Sequence, residues 1–472
     1  MSTFNSEKPR RFPAVTVLLV VVIVALIGAG IYFAPRFERE APQITLTPDS
    51  DVLGVAPIEI VVRDQGAGLK SLTATLSVGG AEHNLATEQY AQPATEKKIA
   101  LALSRISGLK EGPAVLKITA RDGSLWGFFG GNETVVQRNL TVDITPPTLE
   151  LIADDRYINF GGVGAIVYKP SPDTVTSGVK IGSYFFPGTK GLLKDQPEHF
   201  FALFAHPYNV PPASKALVVA TDKAGNTREM ALVYELKDVK YRKSAIALTD
   251  GFLQNKVAPL LKEADARQGA PKDVFVAVNK RLRKENEDRI TAITGKGTPS
   301  ILWSGAFTQL SNSKVEANFA DQRTYTYNSE AIDTAYHLGF DLSVTKRYPV
   351  EAANSGRVAF AGDLGIYGNT VIVDHGAGIF TLYSHLSSIE VKEGDSIKQR
   401  QVLGRTGETG LAGGDHLHYG VYLHGVAVLP VEWWDAKWIS DNIQPKLEGL
   451  SGEEIHKAQA PAPGKVTRKR RR

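Results

Sequence analysis

Three patterns of apolar and polar positions divide this chain. From Ala14 to Ala34 no charged residue occurs, and Val, Leu, Ile and Ala dominate. As a helix those residues rise about 31 Å, close to the roughly 30 Å hydrocarbon core of a bilayer. From about Ala41 to Asp143 the pattern becomes short β-type runs broken by turns. Ile58-Glu59-Ile60-Val61-Val62 is β-branched though poorly alternating, Ser71 to Leu76 alternates cleanly, and Ala114 to Ala120 leads to Asp122. A block at about 146–237 repeats that ending: Ala216 to Ala220, then Thr221-Asp222-Lys223-Ala224-Gly225-Asn226 and another strand. Between about 243 and 295 the period lengthens to that of helices. Thr249 or Asp250 can cap one with Phe252, Leu253, Val257, Leu260 and Leu261 inward. Pro271 and Asp273 open a second, with Phe275, Val278, Leu282 and Ile290 inward. Lys280 to Arg289 is so rich in charge that it reads as a solvated face. Lys314 to Asn328 returns to period 2 as two strands, and strands continue to about residue 440.

Flanking residues decide how the apolar run is used. A secretory signal has an apolar region of only about 7–15 residues before a small-x-small cleavage site. This run is longer, and Ile31-Tyr32-Phe33-Ala34-Pro35 makes a poor cleavage site. An uncleaved anchor is expected over 14–34. Lys8, Arg10 and Arg11 precede it and a mixed Arg36-Phe37-Glu38-Arg39-Glu40 comes after it. That asymmetry puts residues 1–13 in the cytoplasm and everything beyond 36 outside the inner face of the membrane.

The remaining composition is ordinary for a globular chain of about three domains, at 472 residues, 43% hydrophobic and 22% charged. There is no cysteine, so disulfides and thiolate metal sites are excluded. The net charge of +4 is local, because six of the last eight residues are basic and without them the rest carries −2. No nucleic-acid-binding body is implied. Residues 445–472 read as a disordered basic tail, either solubilising or binding an anionic wall polymer or membrane surface.

Asp122 and Asp222 lie 100 residues apart, the length of one immunoglobulin-like unit. The ATDKAGN run resembles bacterial Ig-like modules, so 41–143 and 146–237 are expected to be two β-sandwiches acting as spacers. Two such modules could hold the C-terminal part of the chain up to roughly 60 Å from the membrane.

The chemistry concentrates between His337 and Tyr422. In Asp415-His416-Leu417-His418-Tyr419-Gly420, Leu417, Tyr419, Val421 and Leu423 alternate with the histidines as on a half-buried strand. Residues i and i+2 of a strand share a face, so His416 and His418 present both imidazoles to one side. His337-Leu338-Gly339-Phe340-Asp341 reads as a loop running into a strand, and His385 closes the apolar run Ile379 to Ser384. Four imidazoles and one carboxylate suit zinc, which in catalytic sites takes three protein ligands and a water. Two histidines would be left for proton transfer or oxyanion stabilisation. His375 and His424 read as structural residues.

These motifs carry a resemblance. HLGFDLS at His337, PV at Pro349, AGDLGIYGNTVIVDHGAG at Ala361, TLYSHL ending at Leu386, EGDSIKQRQVLGRTGETG from Glu393 and GGDHLHYGVY from Gly413 occur in order. From Tyr336 to about Trp438 the chain resembles the lysostaphin-type, LytM-like zinc metallopeptidases that cut peptidoglycan cross-bridges. The resemblance implies an antiparallel β catalytic domain over 298–440, with His337, Asp341 and His418 holding Zn2+. It assigns His385 and His416 to the catalytic step. One departure is Val428-Leu429-Pro430, where the family has Asp-Pro or Asn-Pro. The expected whole is mainly β: a membrane helix, two Ig-like sandwiches, a helical linker and the catalytic domain. Its expected partners are peptidoglycan peptides and the lipid bilayer, with the Ig-like domains as the surface on which cell-envelope proteins would bind. The rival readings are a catalytically silent relative that activates a cell-wall amidase and a wall-binding structural protein.

Overall fold

The structure, a computed structural model, describes residues 14–262 and 269–459. The basic residues before the apolar run and the basic cluster at 465–472 lie outside them.

Ala14–Phe33 is one helix with no buried residue, long and apolar enough to cross a membrane. A helix apolar on every side has no polar face to give to water. It ends in the short turn Ala34–Phe37, where Pro35 stands at the start. Beyond it the described chain forms two compact units. The first runs to Pro146 and includes Thr221–Thr227; the second comprises Pro147–Ala220 and everything from Arg228.

In the first unit a three-stranded sheet (Gln43–Thr47, Ile58–Arg63, Glu96–Leu101) shares one core with a five-stranded sheet. The larger sheet is built on Leu69–Val78, Gly112–Asp122 and Glu133–Val142. The poorly alternating run proves regular, because Ile58, Ile60 and Val62 all point inward and only Val61 disguises the period. Leu72, Ala74, Leu76 and Val78 face them with Leu116, Ile118 and Ala120. Each such Leu or Ile withdrawn from water contributes about 1.5–3 kcal/mol, an upper bound. The repeated endings share one local device. Asp122 accepts from the Asn132 amide at 2.7 Å and its side-chain NH2 at 2.9 Å; Asp222 accepts the same pair from Asn226 at 2.8 and 2.9 Å.

The block 147–237, most of which belongs to the second unit, is not an independent spacer. Its two four-stranded sheets share a single hydrophobic core with the C-terminal domain. Two buried ionisable side chains stitch them together. Glu432 accepts from Asn159 Nδ2 and from the Val163 amide, each at 2.8 Å. Lys446, 1% exposed, is paired with Asp155 and donates to the Asn442 carbonyl. The expected disordered tail over 445–472 is ordered in its described part: Gln444–Leu447 and Gly452–Gln459 are helices, with Lys446 and Ile455 buried.

The C-terminal domain is built on one antiparallel sheet. Its order is Lys314–Ala317, Phe340–Ser343, Leu417–Leu423, Ile379–Leu386, Asn369–Gly376, Gly356–Asp363 and Ser396–Ile397. Val426–Val428 folds back on Leu417–Leu423. That central strand is buried on both faces, not one. On one face Tyr419 stacks on Trp434 at 5.4 Å between ring centroids; on the other, the turn Gly365–Tyr367 brings Tyr367 within 5.6 Å of His418.

The segment 243–295 is not all helical. Lys243–Ala247 is a strand pairing parallel with Asp321–Tyr327, which in turn pairs with Glu330–His337. Helical turns then run from Asp250, capped by the Thr249 hydroxyl. A longer helical stretch runs Pro271–Ala277, a π turn at Val278–Leu282, and Arg283–Thr294. Phe275, Val278 and Ile290 enter the core as expected. The charged face is only partly solvated, because Asn286 is buried and accepts from the Ile366 amide at 2.9 Å.

Candidate active site

Strand register explains the meeting of the histidines. Asp341 stands directly opposite His418 on the neighbouring strand, and His418 stands opposite Ser384, next to His385. His337 ends its own strand opposite Asp321. The chain from His337 to Asp341 must pass close to His418, and Gly339 permits it. A Cβ there would lie 2.8 Å from His418 Nε2 and 2.5 Å from the Tyr419 carbonyl. His385 adopts a left-handed backbone with φ of 62°, a conformation that costs a non-glycine residue about 1 kcal/mol or more.

All five polar residues singled out from the sequence converge. His337 Nε2 lies 2.9 Å from Asp341 Oδ1 and 2.9 Å from His418 Nδ1, and His418 Nδ1 lies 3.1 Å from Asp341 Oδ1. His416 Nε2 is farther out, 3.4 Å from the same oxygen. The His385 ring is 4.9 Å from that of His416 and 5.9 Å from that of His418. His375 is elsewhere, bonded to the Ser355 carbonyl and the Thr381 hydroxyl.

Hydrogen bonds fix the tautomers, since a carbonyl can only accept. His337 donates through Nδ1 to Asn318 O at 2.9 Å, His385 to Thr409 O at 2.8 Å and His416 to Gly414 O at 2.8 Å. Each therefore keeps its Nε2 for the site when neutral. His418 is turned the other way, with Nδ1 inward and Nε2 buried without a hydrogen-bond partner. Burial would raise the Asp341 carboxyl, but His337 and the bonds to His416 and His418 outweigh it and hold it well below the usual range. Burial, then the neighbouring His416 and His418, push His385 down to about 3. Burial opposes protonation of His416, yet Asp341 pulls it upward.

The second oxygen of Asp341 is also engaged. Arg323 Nη2 donates to Oδ2 at 3.0 Å, and Arg323 lies 3.7 Å from buried Asp321, which accepts from Ser244 at 2.9 Å. Sequence reasoning passed over this line, because Ser244 and Asp321 meet only through a strand pairing that spans the helices. A single basic residue within an otherwise polar strand was the available signal. A cavity of about 420 Å³ opens over the cluster. Ile366, Tyr367 and Leu411 wall one side; Ile246 to Thr249, Phe252 and Phe275 come from the upstream segment, and Arg283 also reaches it. Arg283 is held by Asn279 Oδ1 at 3.0 Å. The glycine-rich segments 362–368 and 407–414 are locked together, with Leu411 N donating to Ile366 O at 2.8 Å and Asn369 N to Thr409 Oγ1 at 3.0 Å.

Residues 335–430 match the model of peptidase family M23. The C-terminal domain is a peptidase M23 domain of the lysostaphin type. Among characterised relatives, the M23 domain is similar to the DD-carboxypeptidase/endopeptidase Mpg of Neisseria meningitidis serogroup B. The two are 40% identical over 95 residues, covering 20% of this chain and 22% of that protein. It is also similar to the peptidoglycan DD-endopeptidase ShyA of Vibrio cholerae, 32% identical over 112 residues, covering 24% and 25% of the two chains. The chain thus spans about a quarter or less of these relatives' lengths. In structure, the lysostaphin catalytic domain from Staphylococcus simulans aligns over 28% of this chain and 98% of its own, at 27% identity and a TM-score of 0.24.

Proposed function

We propose that this chain is a membrane-anchored zinc endopeptidase that hydrolyses peptide cross-links of peptidoglycan. The observation that carries the reading is the convergence of His337 Nε2, Asp341 Oδ1 and His418 Nδ1, all within 4.8 Å of one another, at the base of the M23 cavity. Those atoms fit the metal. A carboxylate oxygen and at least one imidazole lone pair face each other at about 3 Å, an arrangement that a shared cation relieves. Two nitrogens and one oxygen form a zinc donor set, and His337 is oriented through its other nitrogen as ligand histidines are.

Zinc bound there supplies a water acidified to a pKa of about 7 and a Lewis acid for the scissile carbonyl. The chain's own residues do the rest. Arg323 holds Oδ2 so that Oδ1 of Asp341 stays turned to the histidines. His385 and His416, each with Nδ1 donating to a carbonyl, turn Nε2 to the site, where a neutral imidazole takes a proton and returns it to the leaving amine. Ile366, Tyr367 and Leu411 exclude bulk water from one side. The apolar helix supports anchorage in the inner membrane with residues 1–13 cytoplasmic and the catalytic domain outside. The silent-activator reading gains nothing from this site, since no member of the five is missing.

The test uses the full chain in detergent micelles acting on purified sacculi. Muropeptide release should stop when a chelator removes the metal and return with zinc. Undiminished release after metal removal verified by elemental analysis would overturn the reading.

A further inference from the structure

Three carboxylates converge in the first unit, away from any histidine. Glu38 comes directly after the turn that ends the apolar helix, Asp64 directly after the strand Ile58–Arg63, and Asp122 ends the strand Gly112–Asp122. Each brings a carboxylate oxygen within 4.8 Å of those of the other two. Asp122 is fully buried, Asp64 is 5% exposed and Glu38 is half-buried.

Their hydrogen bonds leave the centre of the cluster uncompensated. Asp64 Oδ1 accepts from the amides of Gly66 at 2.8 Å and Gly68 at 3.4 Å, whereas Oδ2 is buried without any partner. Asp122 accepts at Oδ1 from Ser124 N and Asn132 N, at 2.9 and 2.7 Å, and at Oδ2 from Asn132 Nδ2 at 2.9 Å. Glu38 accepts a long contact from Ala67 N, at 3.5 Å, and its carboxyl also interacts with that of Asp122. No lysine or arginine among the described residues forms an ion pair with any of the three. Even neighbouring Arg39 lies over the Trp126 ring, 3.9 Å from its centroid.

Up to three negative charges therefore share a largely buried site containing a bare oxygen. Either protons or a cation must neutralise them. Burial first, and Asp122 beside it, push the carboxyls of Glu38 and Asp64 upward. The backbone nevertheless brings Glu38 in deliberately close. A Cβ on Gly66 would lie 2.3 Å from Glu38 Cδ, and the Glu38 carbonyl accepts from Ser124 Oγ at 2.8 Å and Asn132 Nδ2 at 3.1 Å.

We propose that Glu38, Asp64 and Asp122 bind one Ca2+ ion. An all-oxygen, carboxylate-rich donor set without nitrogen or sulfur is hard, and selects Ca2+ over zinc. Carboxylates that bind in one- or two-oxygen modes, with waters added, meet the six to eight ligands of Ca2+ more readily than the strict octahedron of Mg2+. An affinity in the extracellular-module class, about 10⁻⁴ to 10⁻³ M, suits a site with one half-buried ligand. The ion joins the segment leaving the apolar helix to two strand ends of the first unit, and so stiffens the connection between anchor and module.

Calorimetric titration of the full chain in detergent micelles with CaCl2, beside thermal melts in EGTA and in Ca2+, tests this. Binding of one ion is expected at this site, with a rise of about 5 °C or more in the melt of the first unit at tenfold-saturating Ca2+. Equal Mg2+ should give a much smaller rise. Asp64→Asn should abolish the Ca2+ response and raise the EGTA melt, because it removes one of the crowded charges. Asp341→Asn should leave the response intact, which separates this site from the histidine cluster. Should Asp64→Asn not fold, Glu38→Gln on the half-buried flank is expected to weaken Ca2+ by about tenfold or more. Absence of binding at several millimolar Ca2+ would overturn the proposal. So would a response unchanged in Asp64→Asn or, in its place, in Glu38→Gln.

Discussion

His416 stands just before the strand Leu417–Leu423, bridged to Gly407, while His418 lies within it, and the roles proposed for them differ. His418 Nδ1 lies within 3.1 Å of both Asp341 Oδ1 and His337 Nε2, so it is one of three atoms that would touch the metal. His416 Nε2 meets only the carboxylate, at 3.4 Å, and its ring is 15% exposed. Losing that long contact weakens the hold on Asp341 by about 1 kcal/mol, or roughly fivefold in metal affinity. Loss of a general acid or base, by contrast, costs about 10²- to 10⁴-fold in turnover, or about 3–5 kcal/mol of barrier. His416→Ala should therefore keep most of its zinc and lose turnover, and His385→Ala should behave the same way. His418→Ala should lose both, because two ligands remain where three are required. Zinc content by elemental analysis, muropeptide release and a thermal melt on the same preparations give the comparison. If His416→Ala emptied the site while His418→Ala stayed loaded, the assignment of ligand and catalyst would be reversed.

Three further outcomes are expected. Lys446→Met leaves buried Asp155 without its cation and should cost about 3–5 kcal/mol, while adding Asp155→Asn should recover most of it; equal losses in the single and double variants, by denaturant melts, would refute the pairing. Burial lowers His375 to about 4, so the folded state binds fewer protons than the unfolded chain. Its contribution is complete above about pH 6.5 and is lost toward pH 4, about 3 kcal/mol in all; His375→Gln should flatten the stability curve in that window, and an unchanged slope in urea melts would count against it. Phe252 projects from the upstream segment into the cavity. If that segment restricts access, Phe252→Ala should raise kcat/KM on purified sacculi, whereas equal rates per metal-loaded molecule would make it only a wall. Deleting everything before Thr298 cannot ask the same question, because it removes the strand Lys243–Ala247 and the buried Phe275, Val278 and Ile290.

How much of the chain could be read in advance depended on how local each signal is. A histidine pair two residues apart at the start of a strand, and a glycine between His337 and Asp341, express their geometry within a few positions. The structure brings together the five polar side chains that those spacings singled out. Arg323 was not visible in this way, because its role depends on Asp321 meeting Ser244 at a separation of 77 positions. Glu432 and Lys446 resemble ordinary surface charges in sequence; only the packing of the 147–237 block against the M23 domain buries them. The charge-rich helix misled for the opposite reason. Its composition calls for solvent, yet the loop Gly365–Tyr367 needs an acceptor for Ile366 N, and Asn286 provides it from within that face. The same reasoning separates the two polar clusters. The histidine site gathers nitrogen and oxygen donors from adjacent strands of one sheet, while the carboxylate cluster joins a linker, a turn and a strand end that no periodicity relates. A site of the second kind becomes legible only when three like charges are found together with an oxygen that nothing satisfies.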